Sequence, residues 1–123
     1  MIAADGQRLT FSKGDRLRTS GEFRKVFDNG RRLGGRKVRL YVLENGTDRS
    51  RLGLSIGKKA GNAVRRNRIR RVLREAFRLN RHILSPGYDI VMVATRGWGE
   101  EGLGDVEPEI VRLFQKLCPG SPE

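Results

Sequence analysis

Residues 57–81, GKKAGNAVRRNRIRRVLREAFRLNR, carry ten basic side chains against a single acid, Glu75. Eight of the ten are arginines. A guanidinium is planar, permanently charged and rich in paired N–H donors, so it matches a phosphate better than an ammonium does. The Glu/Lys spacing that would neutralise a solvated helix face is nearly absent, and self-repulsion along such a row costs stability until an anion relieves it. The chemistry these residues offer is a grip on a polyanion. An ordinary solvated basic face is the plainer alternative.

Groups that could cleave a bond are scarce. His82 is the only histidine and Cys118 the only cysteine, which excludes an intrachain disulfide and a cysteine metal cluster. Asp89 opens a strand and Glu75 stands among arginines. Glu100, Glu101, Asp105, Glu107 and Glu109 group late in the chain, where they are expected to face away from the positive surface. A divalent ion held by protein alone needs converging carboxylates, and the basic region offers none. Residues 53–61 are glycine-rich but lack the spacing of a nucleotide phosphate loop. No catalytic residue and no protein-only metal site is therefore expected. Asn67, between Arg66 and Arg68, is a candidate hydrogen-bonding pivot.

Within the basic stretch Ile69, Val72, Leu73, Ala76 and Phe77 recur at helical spacing and form one apolar stripe. Arg70, Arg74, Arg78 and Arg81 flank it, while Asn67 and Arg71 face away. Arg65 and Arg66 lie near the apolar side, where burial would be expensive, so the first turn is expected to project past its packing partner.

Upstream, Thr19-Ser20-Gly21-Glu22 reads as a capping box opening a short helix that closes near Asn29-Gly30. Phe23, Val26 and Phe27 share one face of it. The two phenylalanines are either buried or a partly open platform for stacking bases. In residues 37–43, Val38, Leu40 and Val42 point one way and Arg39, Tyr41 and Leu43 the other. A second strand over 51–57 turns Leu52, Leu54 and Ile56 inward. Its other side, Gly53, Ser55 and Gly57, is nearly bare and suits either a groove floor or a seat for the first helix.

Ser85-Pro86-Gly87 is a turn, and residues 88–95, YDIVMVAT, read as a strand covered on both faces. Trp98 is expected to anchor the Gly-rich acidic loop that follows. Asp105 is a plausible cap for a last helix carrying Pro108 in its first turn and Ile110, Leu113, Phe114 and Leu117 on one face. The order is α-β-β-α-β-α, a mixed α/β chain expected to fold as an α+β two-layer sandwich.

The 123 residues suit a single domain with one modest core. Residues 1–15 are expected to form a flexible arm and 119–123 a frayed tail. Net charge is +12, and it is uneven: residues 1–96 hold 24 basic and 8 acidic side chains, residues 97–123 only 2 and 6. Such a balance points to nucleic acid or an anionic membrane. Membrane is disfavoured because no apolar run approaches the roughly 18 residues of a spanning helix. Single-stranded or irregular RNA suits arginines mixed with aromatics better than DNA, whose duplex groove is read by a side-chain code not visible here. One cysteine and no apolar leader in residues 1–9 fit a cytoplasmic protein.

Residues 58–78, KKAGNAVRRNRIRRVLREAFR, closely resemble the signature of the bacterial ribonuclease P protein component: paired lysines, Gly-Asn-Ala-Val, Arg-Asn-Arg, then an aliphatic run with basic residues closing near an aromatic. Looser likeness extends to Arg16-Leu17-Arg18, Phe23 and Phe27, Leu40-Tyr41, residues 53–57 (GLSIG) and residues 88–91 (YDIV). The resemblance implies a ribosomal protein S5 domain 2-like fold with a left-handed βαβ crossover, where pattern reading would choose the common right-handed one.

It also implies a protein subunit that partners a catalytic RNA and precursor tRNA. The RNA, with Mg2+ held mainly by RNA and substrate, hydrolyses the phosphodiester that frees the mature 5′ end. On this chain Lys58, Lys59, Asn62, Arg65, Arg66, Asn67, Arg68, Arg70, Arg71 and Arg74 would face RNA. Arg18, Phe23, Phe27, Tyr41 and Ser55 would line the cleft for the 5′ leader. A structural rRNA-binding ribosomal protein is the alternative that charge and size allow equally.

Overall fold

The computed structural model describes residues 13–84 and 87–118. The Ser85-Pro86 part of the predicted turn, the arm up to residue 12 and the tail 119–123 lie outside them. The elements are α1 (Ser20–Asn29), β1 (Arg31–Gly34), β2 (Val38–Glu44), β3 (Arg51–Ser55), α2 (Ala63–Asn80), β4 (Tyr88–Ala94) and α3 (Leu103–Leu117), with short 3-10 turns at Lys13–Asp15, Lys58–Ala60 and Arg81–Ile83. Of the α-helices and strands, β1 alone is not expected from the sequence. Its sequence, RRLG, shows no alternation, and antiparallel pairing with β2 alone makes it a strand, Leu33 falling opposite Leu40.

One four-stranded sheet results, in the order β1-β2-β4-β3. β2 and β4 are antiparallel, while β3 and β4 run parallel, as they must when a long helix carries the chain back between them. Val38, Leu40, Val42, Leu52, Ile90 and Met92 make one buried face. Against it α2 presents Ile69, Leu73, Ala76 and Phe77, and α3 presents Val106, Ile110, Leu113 and Phe114. Phe77 and Phe114 meet edge to face with centroids 6.5 Å apart. These are the two layers expected from the mixed α+β pattern.

The opposite face is only partly covered. Leu17 and Val26 bury Val91 there, while Phe23, Tyr41, Leu43 and Val93 stay half-exposed around them. α1 is a short amphipathic helix with one fully buried side chain, Val26, too small to close the sheet. Its start is the predicted capping box: Glu22 N–H donates to Thr19 Oγ1 at 3.1 Å, and Glu22 Oε1 accepts from Thr19 N–H at 3.0 Å. The Arg18 N–H, then that of Thr19, hold the Glu22 carboxyl below its usual range.

Two expectations need correction. The last helix is capped from inside, not by Asp105 as its first residue. It begins at Leu103 after Gly102, and the Asp105 carboxylate reaches back to the Gly102 N–H at 2.9 Å; Pro108 lies further inside the helix. The arm does not extend to residue 15, because its end is part of the fold. Lys13–Asp15 is a 3-10 turn, Leu17 N–H donates to Leu52 O at 2.9 Å, and the Asp15 carboxylate is fully buried.

Asp15 accepts from Arg49 Nε and from Arg81 Nη2, each at 3.0 Å. Arg81 also donates to Ser50 O at 2.7 Å and lies 5.2 Å from the Phe77 ring centre. It therefore serves the core, not the exposed basic flank. Asp15→Ala leaves two guanidiniums around a buried vacancy and should cost on the order of 3 kcal/mol, measured as a fall in the urea midpoint at unchanged slope.

Candidate nucleic-acid interface

α2 starts without any acid in its first turn. Asn62 provides the cap, its Oδ1 accepting the Arg65 N–H at 2.9 Å. Gly61 precedes it at φ +138°, and a Cβ there would come within 2.6 Å of the Arg65 side chain. This glycine thus supplies both the turn and the room for the arginine to fold back. The buried Ile69, Leu73 and Phe77 pin the helix to the sheet, which leaves the arginines along its outer faces.

Arg65, Arg68 and Arg71 are exposed, and Arg66, Arg70 and Arg74 half-buried. Among the described residues none of the six makes an ion pair with a carboxylate. Arg70 Nη1 donates to Asn67 Oδ1 at 2.9 Å, so Asn67 steadies an arginine one turn further on. Arg65 Nη1 donates to Trp98 O at 3.2 Å, and Arg68 Nη2 to Glu100 O at 2.7 Å. Backbone carbonyls orient a guanidinium and leave its charge uncompensated. Lys58 and Lys59 stand exposed on the turn between β3 and α2.

Those carbonyl contacts overturn the expectation that the acidic loop faces away. α2 and α3 lie side by side on the same sheet face, so the loop from β4 to α3 returns beside the first turns of α2. Trp98 anchors it as predicted: the indole is buried and its Nε1 donates to Lys37 O at 2.9 Å. Glu101 turns its carboxylate to Lys37 Nζ, 2.7 Å away. That contact, with the N–H groups of Glu101 itself and Gly99, holds the Glu101 carboxyl down at about 2.

The second constellation is the open end of the sheet face under α1. Phe27 is 37 % exposed and packs edge-on to Tyr41 with centroids 4.8 Å apart. Phe23 leans over Gly53, where a Cβ would lie 2.6 Å from its ring. The strand stops at Ser55, short of the expected 57; α1 seats on Gly53, while Gly57, beyond the strand, has open space beside it. One residue pair along from Tyr41, Arg39, Val93 and Ser55 form a half-buried row across three strands. Phe23, Phe27 and Tyr41 come together as expected, with Ser55 in the next row.

Arg18 stands exposed ahead of α1. Arg16 is the neighbour that reaches a pocket, and sequence reasoning passed over it. A pocket of about 180 Å3 is lined by Arg16, Leu17, Phe23, Leu52, Leu54, Arg70 and Arg74. A second, of about 420 Å3, shares Arg16 and Arg74 and adds Arg71, Glu75 and Arg78. Burial first, then Arg16 and Arg70, push the Arg74 guanidinium below its ordinary value. Cations are thus gathered along one open groove, where their mutual repulsion is a term that a bound phosphate would oppose. Arg16-Leu17-Arg18 offered both arginines equally, and pairing of Arg16 with Leu52 on β3 selects between them.

A divalent cation does not fit this face, since guanidiniums and ammoniums repel it. Among the described residues no group of three or more His, Cys, Asp or Glu is placed to hold a metal ion, and no described helix is long and apolar enough to cross a membrane.

Replacing the crowded cation with an apolar chain of similar reach, Arg74→Met, should raise Tm by about 2–4 °C while weakening binding of a single-stranded RNA oligonucleotide. A parallel fall in both would show that Arg74 supports the fold. The Glu101 clasp has a definite pH sign. Its carboxyl is depressed from 4.5 to about 2, so its contribution is complete above about pH 4.5 and lost as pH falls through about 2. Emission of Trp98, the only tryptophan, should report that loss below pH 4.5 in the wild type, and Glu101→Gln should lack this transition.

Residues 11–118 match the family model described as Ribonuclease P. The ribonuclease P protein component of Clostridioides difficile is 36% identical over 109 residues, covering 88% of this chain and 96% of its own length. That of Pseudomonas putida is 40% identical over 114 residues, 91% of this chain and 85% of its own. Among solved structures, the RNase P protein of Thermotoga maritima superposes with a TM-score of 0.75 at 30% identity, over 82% of this chain and 96% of that one. The Staphylococcus aureus RNase P protein gives 0.76 at 26% identity, over 85% and 96%. With the family model spanning residues 11–118 and relatives 36–40% identical over most of both chains, this chain belongs to the ribonuclease P protein component family.

Proposed function

We propose that this chain is the protein subunit of a ribonuclease P holoenzyme. It binds the catalytic RNA through the first turns of α2 and holds the 5′ leader of precursor tRNA against the open sheet face beside α1. The observation that carries this reading is the set of six arginines in residues 65–74, none paired with a carboxylate among the described residues, next to a cleft holding Phe23, Phe27 and Tyr41. Guanidiniums take phosphates, and the half-open rings take bases irrespective of sequence. That suits leaders, which need no common sequence to be recognised by stacking.

The hydrolysis itself is assigned to the RNA, with Mg2+ ions held by RNA and substrate activating water and steadying the charge on the phosphate. The chain's own residues bind and orient. Arg65, Arg66, Arg68, Arg70, Arg71 and Lys58–Lys59 neutralise backbone where RNA and substrate meet. Phe27 and Tyr41 then align the leader across β2, with Arg39 and Ser55 beside them. If about six phosphates are engaged, affinity should fall by roughly a thousandfold between 50 and 200 mM salt. The work is carried out in the cytoplasm, where precursor tRNA is made in bacteria.

Reconstitution tests the reading directly. Added to a ribonuclease P RNA transcript and 5′-extended tRNA at low Mg2+, the protein should raise cleavage well above RNA alone. Combined Arg65, Arg66, Arg68 and Arg70 to Ala changes should weaken RNA association by about 100-fold or more and raise the Mg2+ required, with cleavage at saturating Mg2+ nearly intact. Severe loss under saturation would refute the division of labour. Phe27→Ala should lower the preference for leader-bearing over mature tRNA by about 5–30-fold, the equivalent of ~1–2 kcal/mol of stacking, with Tm little changed. Equal losses for both substrates would assign Phe27 to packing instead.

A further inference from the structure

Lys37, the residue before β2, is joined to the β4–α3 loop by both backbone and side chain. Its carbonyl accepts the Thr95 N–H at 3.0 Å and the Trp98 Nε1–H at 2.9 Å. Its Nζ donates to Gly97 O at 2.6 Å and lies 2.7 Å from the Glu101 carboxylate. Glu101 closes the ring by accepting the Gly99 N–H at 2.5 Å. Lys37 is itself fixed, because its own N–H and that of Val38 each donate to Glu109 Oε2 at 2.9 Å.

Held this way, the loop turns three backbone carbonyls toward α2: Trp98 O takes Arg65, and Glu100 O and Glu101 O take Arg68. A guanidinium has five N–H donors. Arg65 uses one in these contacts and Arg68 two, so both keep donors for a phosphate. An exposed arginine otherwise gives up rotamer freedom on binding, and fixing it beforehand raises affinity.

We propose that the Lys37–Glu101 ion pair is a clasp that sets the β4–α3 loop so that its carbonyls pre-orient Arg65 and Arg68 for RNA phosphates. Lys37 and Glu101 are then positioning residues of the RNA-facing surface. This rests on the RNA-binding reading of α2. Simple electrostatics gives the opposite sign: an acid near the interface repels RNA, and removing it should strengthen binding.

The test uses the full chain, with a ribonuclease P RNA transcript as probe, in binding titrations across a salt series. Glu101→Gln is expected to weaken binding about 5-fold and to flatten the salt dependence. Lys37→Gln with Glu101→Gln, which leaves net charge unchanged, should weaken it equally. In an Arg65→Ala, Arg68→Ala background the Glu101→Gln effect should vanish, since there is nothing left to orient. Circular dichroism establishes that each variant is folded. Unchanged or tighter binding by Glu101→Gln overturns the clasp, as does the same 5-fold loss in the arginine-free background. If the Arg65→Ala, Arg68→Ala pair binds like wild type, the RNA-facing reading of α2 falls and the clasp with it. If that pair binds weakly while Glu101→Gln does not, the clasp alone falls.

Discussion

Like charges held close together are the constraint that the rest of this structure answers. Six guanidiniums repel one another along the first three turns of α2, and among the described residues no carboxylate pairs with them. Between exposed unit charges 4 Å apart in water that repulsion is about 1 kcal/mol per pair. Burial of Ile69, Leu73 and Phe77 opposes it with roughly 1.5–3 kcal/mol apiece. Burial wins, and the helix persists with its charge intact. A salt-bridged helix would be more comfortable and would have no phosphate-binding capacity left.

Acidic residues are not missing from the fold; they are spent elsewhere. Asp15 ties Arg49 and Arg81 beneath the sheet edge, Asp89 and Glu22 hold Arg51, and Glu75 holds Arg78. Each of these arginines is thereby compensated within the fold. The net charge of the chain overstates the binding surface, and the pairing pattern shows which cations remain for a partner. The loop 96–102 follows the same economy, since its one engaged carboxylate goes to Lys37 and only neutral carbonyls meet Arg65 and Arg68.

The sheet divides the molecule's tasks by face. α2 and α3 seal one side into a continuous core. On the other, α1 covers Gly53 and Val91 and stops short of Ser55 and Val93. A cleft results because a ten-residue helix is too short to cap four strands. Its aromatic lining is ordered by contact with the sheet, so little side-chain entropy remains to be lost on binding.

Local pattern sufficed wherever neighbours in sequence are neighbours in space. The capping box at Thr19 and Glu22, the apolar stripe of α2, the alternation of β2 and the outward turn of Arg71 were all readable, because helix and strand periods fix which side chains share a face. Strand β1 was not, since RRLG becomes a strand only by pairing with β2. Nor was the end of the arm, where an aspartate in a polar stretch is buried by two arginines more than thirty residues away. The choice of Arg16 over Arg18 for the pocket, and the return of an acidic loop beside a basic helix, depend on how β3 and α3 dock. The amino-acid order thus determined that the chain would carry an arginine row along one helix. Tertiary packing alone decided which cations stay uncompensated, because charge pairing acts across distances that no local period encodes.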